Sequence, residues 1–492
     1  MNNQTIFQFF HWYVWDDGNW WDYCASQAKR LAELGFTHVY LPPAYKSAFG
    51  TPEPGYAVYD LYDLGEFDQK GTVRTKYGTR DQYLHLINEL HKNKLSVITD
   101  MVMNHRNGGD EEETFKARIV NSDDRNEFVS EEHDITAYTR FTFPGRNDKY
   151  SAFKWDHRCF SGVDKFENDE ITIYSIINEY GDKWEDVMAD EFGNYDFLMG
   201  CDVEFRNEFV RDELKNWGKW YVETTKTDGF RLDAVKHITP SFIKDWVFAM
   251  KDHFKRDFFC VAEYWNFDVG HLFNYLDTIE NAASLFDVPL HHNFYEASLK
   301  RKDYDMTKLL DNTLFKMRSF NAITFVENHD TQPLQSLESP VDYWFKPIAY
   351  AIILLREQAI PTVFYPDLYG AQYTGQKGND SFDINIVAVK ELETLLKVRK
   401  DLAYGLQIDY FDHGNVVGWV RQGIKEKRNS GCAVLISNGD DGFKEMDMGK
   451  ANANKKYYDA CGNVKEELKT DNNGHCTFRV NKESVSVWIV KK

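Results

Sequence analysis

The 492-residue chain has no excess of basic residues. Its 58 Lys and Arg stand against 78 Asp and Glu, for a formal net charge of −20. That balance repels nucleic acid and anionic lipid, whereas a neutral polymer is indifferent to it and a cation is attracted. No run approaches the roughly 18 apolar residues of a membrane-spanning helix, so neither a membrane nor a nucleic acid is expected as a partner. Met1-Asn2-Asn3-Gln4 leads straight into a strand-like segment, without the basic and apolar stretches of a secretory signal. The seven cysteines (Cys24, Cys159, Cys201, Cys260, Cys432, Cys461 and Cys476) are odd in number and form no CxxC pair. Free thiols in a reducing compartment account for this most simply, so a cytoplasmic monomer is expected, or a secreted protein if a leader precedes the sequence.

Aromatic residues are abundant. Thirteen Trp, 28 Tyr and 36 Phe make up 16% of the chain. Most must be core, and the surplus suits a groove that stacks flat apolar ligand faces such as sugar rings.

Short β-type apolar runs alternate with amphipathic stretches over the first 400 residues, a pattern of βαβ units around a parallel sheet. Eight strands are predicted: Ile6–Phe10, His38–Leu41, Ser96–Met101, Gly229–Asp233, Phe258–Glu263, Leu285–Leu290, Ala322–Val326 and Pro361–Tyr365. Helices are predicted over Asp22–Leu34, Arg80–Asn93 with Thr79 as N-cap, Glu208–Lys226, Pro240–Lys255, Val341–Arg356 and Val387–Lys400. Eight such units close a (β/α)₈ TIM barrel. About a hundred residues separate the third strand from the helix opening near Asn207, too many for a structureless loop, and they read as an inserted small β-rich domain. Past Lys400 the short runs Val416–Val420, Cys432–Ile436, Lys456–Ala460, Cys476–Val480 and Ser484–Val490 predict an antiparallel β-sandwich. The expected domains are therefore 1–103 with 207–396 (barrel), 104–206 (insertion) and 397–492 (C-terminal).

Four predicted strand ends run into polar residues: Asp100-Met101-Val102-Met103-Asn104-His105, Gly229-Phe230-Arg231-Leu232-Asp233-Ala234-Val235-Lys236-His237, Val261-Ala262-Glu263-Tyr264-Trp265 and Phe325-Val326-Glu327-Asn328-His329-Asp330. In a parallel barrel these ends share one face, where active sites form, so Asp233, Glu263 and Asp330 should converge. Three converging carboxylates suit glycoside hydrolysis, in which one attacks the anomeric carbon and another protonates the leaving oxygen. Arg231 lies two residues before Asp233 on the same strand face, where it is expected to hold Asp233 ionised.

These four segments resemble the signature regions of the α-amylase family of glycoside hydrolases, and more closely the liquefying bacterial α-amylases and their intracellular relatives. Pro42-Pro43-Ala44-Tyr45-Lys46, Asn194-Tyr195-Asp196-Phe197-Leu198-Met199 and Asp287-Val288-Pro289-Leu290-His291 share the likeness, which runs from about Phe9 to Val490. The resemblance implies retaining endo-hydrolysis of α-1,4-glucosidic links in starch, glycogen or maltodextrin. Asp233 would be the nucleophile, Glu263 the general acid/base and Asp330 the transition-state stabiliser. Arg231, His105 and His329 would form the pocket of the reacting sugar, Tyr56 its platform, and Lys236 and His237 the leaving-group side.

The resemblance also implies a structural Ca²⁺ held by Asn104, Asp196, Asp202 and the backbone carbonyl of His237, oxygen donors that suit this ion. Ser161 and Glu185 stand where relatives carry aspartates of a further metal cluster. Asn415 and Asn438 replace the carboxylates of another calcium site, so that site is expected to be absent or weak. His11 stands where relatives often have Glu, and Pro366 where Gly is usual. The rival readings are a transglycosylase or α-1,6-acting relative with the same triad, a non-catalytic glucan-binding protein, and a sucrose- or trehalose-processing enzyme.

Overall fold

The computed structural model describes residues 3–167 and 169–491. Eight parallel strands close a barrel in sequence order: β1 (Ile6–Gln8), β2 (His38–Leu41), β3 (Ser96–Met101), β4 (Gly229–Leu232), β5 (Phe259–Ala262), β6 (Ser284–Phe286), β7 (Ala322–Phe325) and β8 (Ile360–Phe364), which returns to β1. Every predicted strand is present. Val39, Val97, Ile98, Phe230, Leu232, Leu285, Ile323 and Val363 are buried, as expected of strands covered on both faces. Gly229 opens β4 because a Cβ there would lie 2.3 Å from the Phe259 carbonyl of β5.

The helix Arg80–Lys92 begins with a full capping box, in which the Thr79 hydroxyl accepts from the Gln82 amide and the Gln82 side chain accepts from the Thr79 N–H. Several boundaries differ from the sequence reading, among them the helix predicted from Val387, which starts at Leu392. The sixth strand ends at Phe286, and Val288–Lys300 is a helix. Asp287 causes the change: its carboxylate accepts from the Leu290 N–H and also from Leu314 and Phe315 at the start of a second short helix. The predicted helix from Val341 starts only at Lys346, because the Val341 N–H is bound by the buried Glu327 carboxylate at 2.5 Å. The helix Val269–Thr278 and the hairpin Ala371–Lys377/Asp380–Ile386 were not foreseen; the helix is amphipathic, burying Val269, Leu272, Tyr275 and Leu276, but only ten residues long.

The insertion after β3 is a six-stranded antiparallel sheet, in the order 105–106, 201–203, 160–167, 170–176, 111–119 and 133–140. The pairing Asp202↔His105 brings both ends of the insertion together at the barrel rim. The C-terminal region packs a six-stranded sheet on a two-stranded one (Gly442–Asp447 with His475–Val480), enclosing Val420, Leu435, Met446, Phe478 and Trp488. The 396/397 boundary expected from the sequence falls inside the helix Leu392–Asp401, which packs on Lys346–Leu355. Arg399 in that helix donates to the carbonyls of Gln4 and Leu354 and to the Thr5 hydroxyl, sealing the seam beside β1.

The C-terminal sandwich is clasped to the barrel through amides. Asn438 Nδ2 donates to the carbonyls of Arg301 (2.7 Å) and Tyr304 (2.9 Å), Asn415 Nδ2 donates to that of Lys302 (2.7 Å), and the two side chains bond each other at 3.0 Å. The two amides expected to make a weak or absent calcium site are thus already engaged. Asn438→Ala leaves two carbonyls without donors and is expected to lower unfolding free energy by about 1–3 kcal/mol in a denaturant titration. Added calcium should not restore it.

Candidate active site

Arg231 organises the floor of the cleft. It sits on β4 in register with Asp100 of β3 and Val261 of β5. Its Nη1 donates to Asp100 Oδ1 at 2.9 Å and to Asp233, and its Nη2 donates to Glu263 Oε2 at 2.5 Å. After Asp233 the chain turns through Ala234 in the left-handed region (φ 49), and the Ala234 N–H donates to Glu263 Oε2 at 3.2 Å. Asp233, Glu263 and Asp330 line one open cleft of about 500 Å³, together with Tyr56, His105, Lys236, His237 and His329. The residues singled out in four distant segments are therefore neighbours.

The expectation that Arg231 keeps Asp233 ionised leaves out burial and two neighbouring carboxylates. Burial, opposed by Arg231 but reinforced by Glu263 and Asp100, pushes Asp233 up to about 8. Asp330 is also raised, by burial and then by Glu263. With one guanidinium among four carboxylates their titrations are linked, and burial favours keeping protons on Asp233 and Asp330.

His329 is held neutral, because burial and Arg231 lower its pKa. Gln8 Nε2 of β1 lies 3.0 Å from His329 Nδ1, and His329 Nε2 lies 3.3 Å from Asp330. With the Gln8 amide donating to Nδ1, the ring proton stays on Nε2, facing Asp330. Tyr56, Trp12 and His329 form a cluster of near-parallel rings (Trp12–Tyr56 5.5 Å, 9°; Tyr56–His329 5.2 Å, 13°; Trp12–His329 6.2 Å, 6°), and the Tyr56 hydroxyl donates to Asp100 at 2.8 Å. His105 donates through Nε2 to the Tyr56 carbonyl at 2.9 Å, and burial lowers its pKa to about 4. Lys236 donates to Glu191 at 2.6 Å and to the Trp265 carbonyl at 3.1 Å. His237 Nδ1 donates to the Tyr195 carbonyl at 2.7 Å. The insertion thus contributes Tyr195 to the cleft wall and Glu191 as the partner of Lys236.

The proposed cation ligands cluster beside this wall. Asn104 Nδ2 donates to Asp202 Oδ1 at 3.3 Å, while Asn104 Oδ1 is buried without a partner. Asp202 accepts from Ser161 at 2.5 Å, and Asp196 accepts from the Glu185 N–H at 3.0 Å. Asp202 and Asp196 are both raised, Asp196 to about 8, chiefly by burial and with Glu204 adding to both; Asp196 also raises Asp202. Among the described residues no three His, Cys, Asp or Glu side chains are arranged to hold a metal ion by themselves. The expected ligands are of mixed kind: two carboxylates (Asp196 and Asp202), the Asn104 amide and the main-chain carbonyl of His237.

Sequence reasoning overlooked Gln8, Trp12, Asp100, Glu191 and Tyr195. Asp100 opened one of the four signature segments, and its place within a strand whose far end bears Asn104 and His105 was the available signal. Glu191 and Tyr195 lie in an irregular stretch of the insertion, where no periodicity points at the barrel.

The chain matches the family model described as "Alpha amylase, catalytic domain" over residues 21–391, and "Alpha-amylase C-terminal" over residues 432–489. It is 46% identical to the cytoplasmic alpha-amylase of Escherichia coli (strain K12), covering 100% of both chains, and 46% identical to an alpha-amylase of Geobacillus stearothermophilus, covering 100% of this chain and 87% of that one. Its fold resembles the crystal structure of the Geobacillus thermoleovorans alpha-amylase complexed with acarbose (TM-score 0.66, 19% identity, 100% and 98% covered). It also resembles the cyclomaltodextrin glucanotransferase CldA (TM-score 0.64, 18% identity, all of both chains covered). Catalytic-domain and C-terminal matches, full-length relatives at 46% identity and a closed barrel around three converging carboxylates lead to one conclusion: the chain belongs to the α-amylase family of glycoside hydrolases.

Proposed function

We propose that the chain hydrolyses internal α-1,4-glucosidic links of starch, glycogen or maltodextrin with retention of configuration. The observation that carries this reading is that Asp233 and Glu263 are bound by the two terminal nitrogens of one guanidinium at the cleft floor. Retention needs the two carboxyl groups about 5–5.5 Å apart, against about 6.5–9.5 Å for inversion, and their sharing of one guanidinium supports the shorter spacing. The reaction takes the cluster's proton on Glu263 and Asp233 as the anion: Asp233 attacks the anomeric carbon while Glu263 gives that proton to the glycosidic oxygen. Glu263 then takes a proton from water, which cleaves the glycosyl ester on Asp233 and restores both groups. Asp330 and the Nε2–H of His329 hold sugar hydroxyls, and Tyr56 offers its ring to the sugar's C–H face. His105 and Arg231 complete the pocket, and Lys236 and His237 the leaving-group side. Transfer to a sugar acceptor uses the same residues, so the fraction of products transferred rather than hydrolysed separates the two reactions.

The residues beside the insertion fit a calcium ion. The partnerless Asn104 Oδ1 and the buried, mutually repelling Asp196 and Asp202 form an oxygen-lined site whose excess negative charge a divalent cation would relieve. We assign Asn104, Asp196, Asp202 and the His237 carbonyl to it, with a structural role of pinning the insertion to the barrel. All seven cysteines are free, and a relative with 46% identity is named cytoplasmic, both of which support a cytoplasmic location. No further macromolecular partner is invoked, and the active unit is read as a monomer.

Asp233→Asn or Glu263→Gln should lower kcat on soluble starch by roughly 10⁴-fold or more with the fold intact, the non-additive scale of losing one member of a catalytic unit; a tenfold loss would refute the roles. Anomeric NMR of products from a blocked maltodextrin should show the α form first. Asp233 has its pKa raised from 3.8 to about 8, so between those values the folded state binds a proton that the unfolded state has lost, and stability falls as pH rises. Asp233→Asn removes that penalty, so its melting temperature relative to the parent should climb from pH 5 to pH 8 and then level off. EDTA should lower the parent's melting temperature, because an ion bound only by the folded chain adds to its stability.

A further inference from the structure

Beside the catalytic cleft runs a second groove that the proposed chemistry does not use. It encloses about 460 Å³ between the segment after β1, which supplies His11, Tyr13 and Trp15, and the segment after β8, which supplies Tyr369, Gln372 and Asn385. Trp15 is 44% exposed, yet its ring is braced edge-on by Trp20 (4.7 Å, 74°) and Tyr23 (5.4 Å, 61°). Deeper in the wall the rings lie nearly parallel, with His11 on Tyr365 at 5.9 Å and 8°, and Tyr365 on Tyr369 at 5.0 Å and 19°. A large aromatic face fixed in place but open to solvent binds flat apolar surfaces with little loss of side-chain entropy.

The polar character of the groove narrows the ligand further. Gln372 and Asn385 offer exposed side-chain amides. No carboxylate, ammonium or guanidinium lines it, and burial, helped by Lys76, lowers His11 to about 3 and so keeps it neutral. His11 Nδ1 is buried without a hydrogen-bond partner. Such a wall discriminates against phosphates and charged peptides and suits an uncharged, hydroxyl-rich chain with apolar ring faces. The groove is also continuous with the cleft through sequence. His11 and Tyr13 flank Trp12, whose ring lines the cleft and stacks on Tyr56. A polymer longer than the cleft can therefore engage both sides of this one segment.

We propose that the groove is an auxiliary α-glucan-binding site that holds a second stretch of polymer while the cleft acts. The proposal rests on the reading of the cleft as an α-1,4-glucan hydrolase. Trp15→Ala should lower kcat/KM on glycogen by roughly three- to tenfold, the size of one lost aromatic contact, and leave kcat/KM on a short blocked maltooligosaccharide within about twofold. On a Glu263→Gln background, Trp15→Ala should also reduce retardation in a glycogen-containing native gel. If Trp15→Ala unfolds, Gln372→Ala on the exposed hairpin carries the same expectation. Equal losses on both substrates, or no loss on glycogen, would overturn the proposal. If the parent is retarded through Trp15 but cleaves no α-1,4-glucan, the reading of the cleft fails and the groove stands.

Discussion

The site depends on one buried guanidinium. Arg231 is almost wholly removed from water, and its two terminal nitrogens touch Asp100, Asp233 and Glu263. Three strands deliver these groups: β3 brings Asp100, β4 brings Arg231 and Asp233, and β5 leads into Glu263. Parallel pairing sets their heights, since Arg231 is in register with Asp100. A buried cation with a single carboxylate would be a poor bargain, because desolvation can exceed the attraction. With several carboxylates around it, both terminal nitrogens are engaged, although Nε has no partner, and the anions share a deficit of positive charge. That deficit is what leaves protons in the cluster for the reaction to use.

A second layer fixes the groups that Arg231 does not touch. Glu327, buried two residues before His329, accepts from the Thr331 hydroxyl at 2.9 Å and from the Val341 N–H, and it faces Lys346 at 3.6 Å. Lys346 bonds Asp367 at 2.6 Å beyond β8. The loop that carries His329 and Asp330 is thereby tied at both ends to the barrel, while Gln8 orients His329 from β1. Precision in the cleft comes from these buried polar ties more than from the cleft's own surface.

Much of this was legible in the sequence for plain physical reasons. Strands covered on both faces are mainly apolar, so all eight could be located, and the carboxylates at their ends were conspicuous because the apolar runs stopped there. Asp287 shows where the reading fails: Leu285–Leu290 is apolar enough for a strand, but a carboxylate able to cap two helices ends it after Phe286. Trp12, Gln8 and Glu191 escaped notice because their importance lies in what they pack against across the fold. The Asn415–Asn438 pair was noticed as lost charge, whereas the structure adds what the amides do instead.

The seam at Arg399 has a consequence for how the molecule is made. The first strand pairs with the eighth, and the side chain that seals this junction lies near residue 400. During synthesis the opening segment must wait, with one edge unpaired, until almost the entire catalytic portion has left the ribosome. The insertion, whose two ends meet in a sheet of their own, can settle much earlier. Nascent chains of intermediate length therefore expose an unfinished ring, and it is that ring a chaperone would have reason to cover.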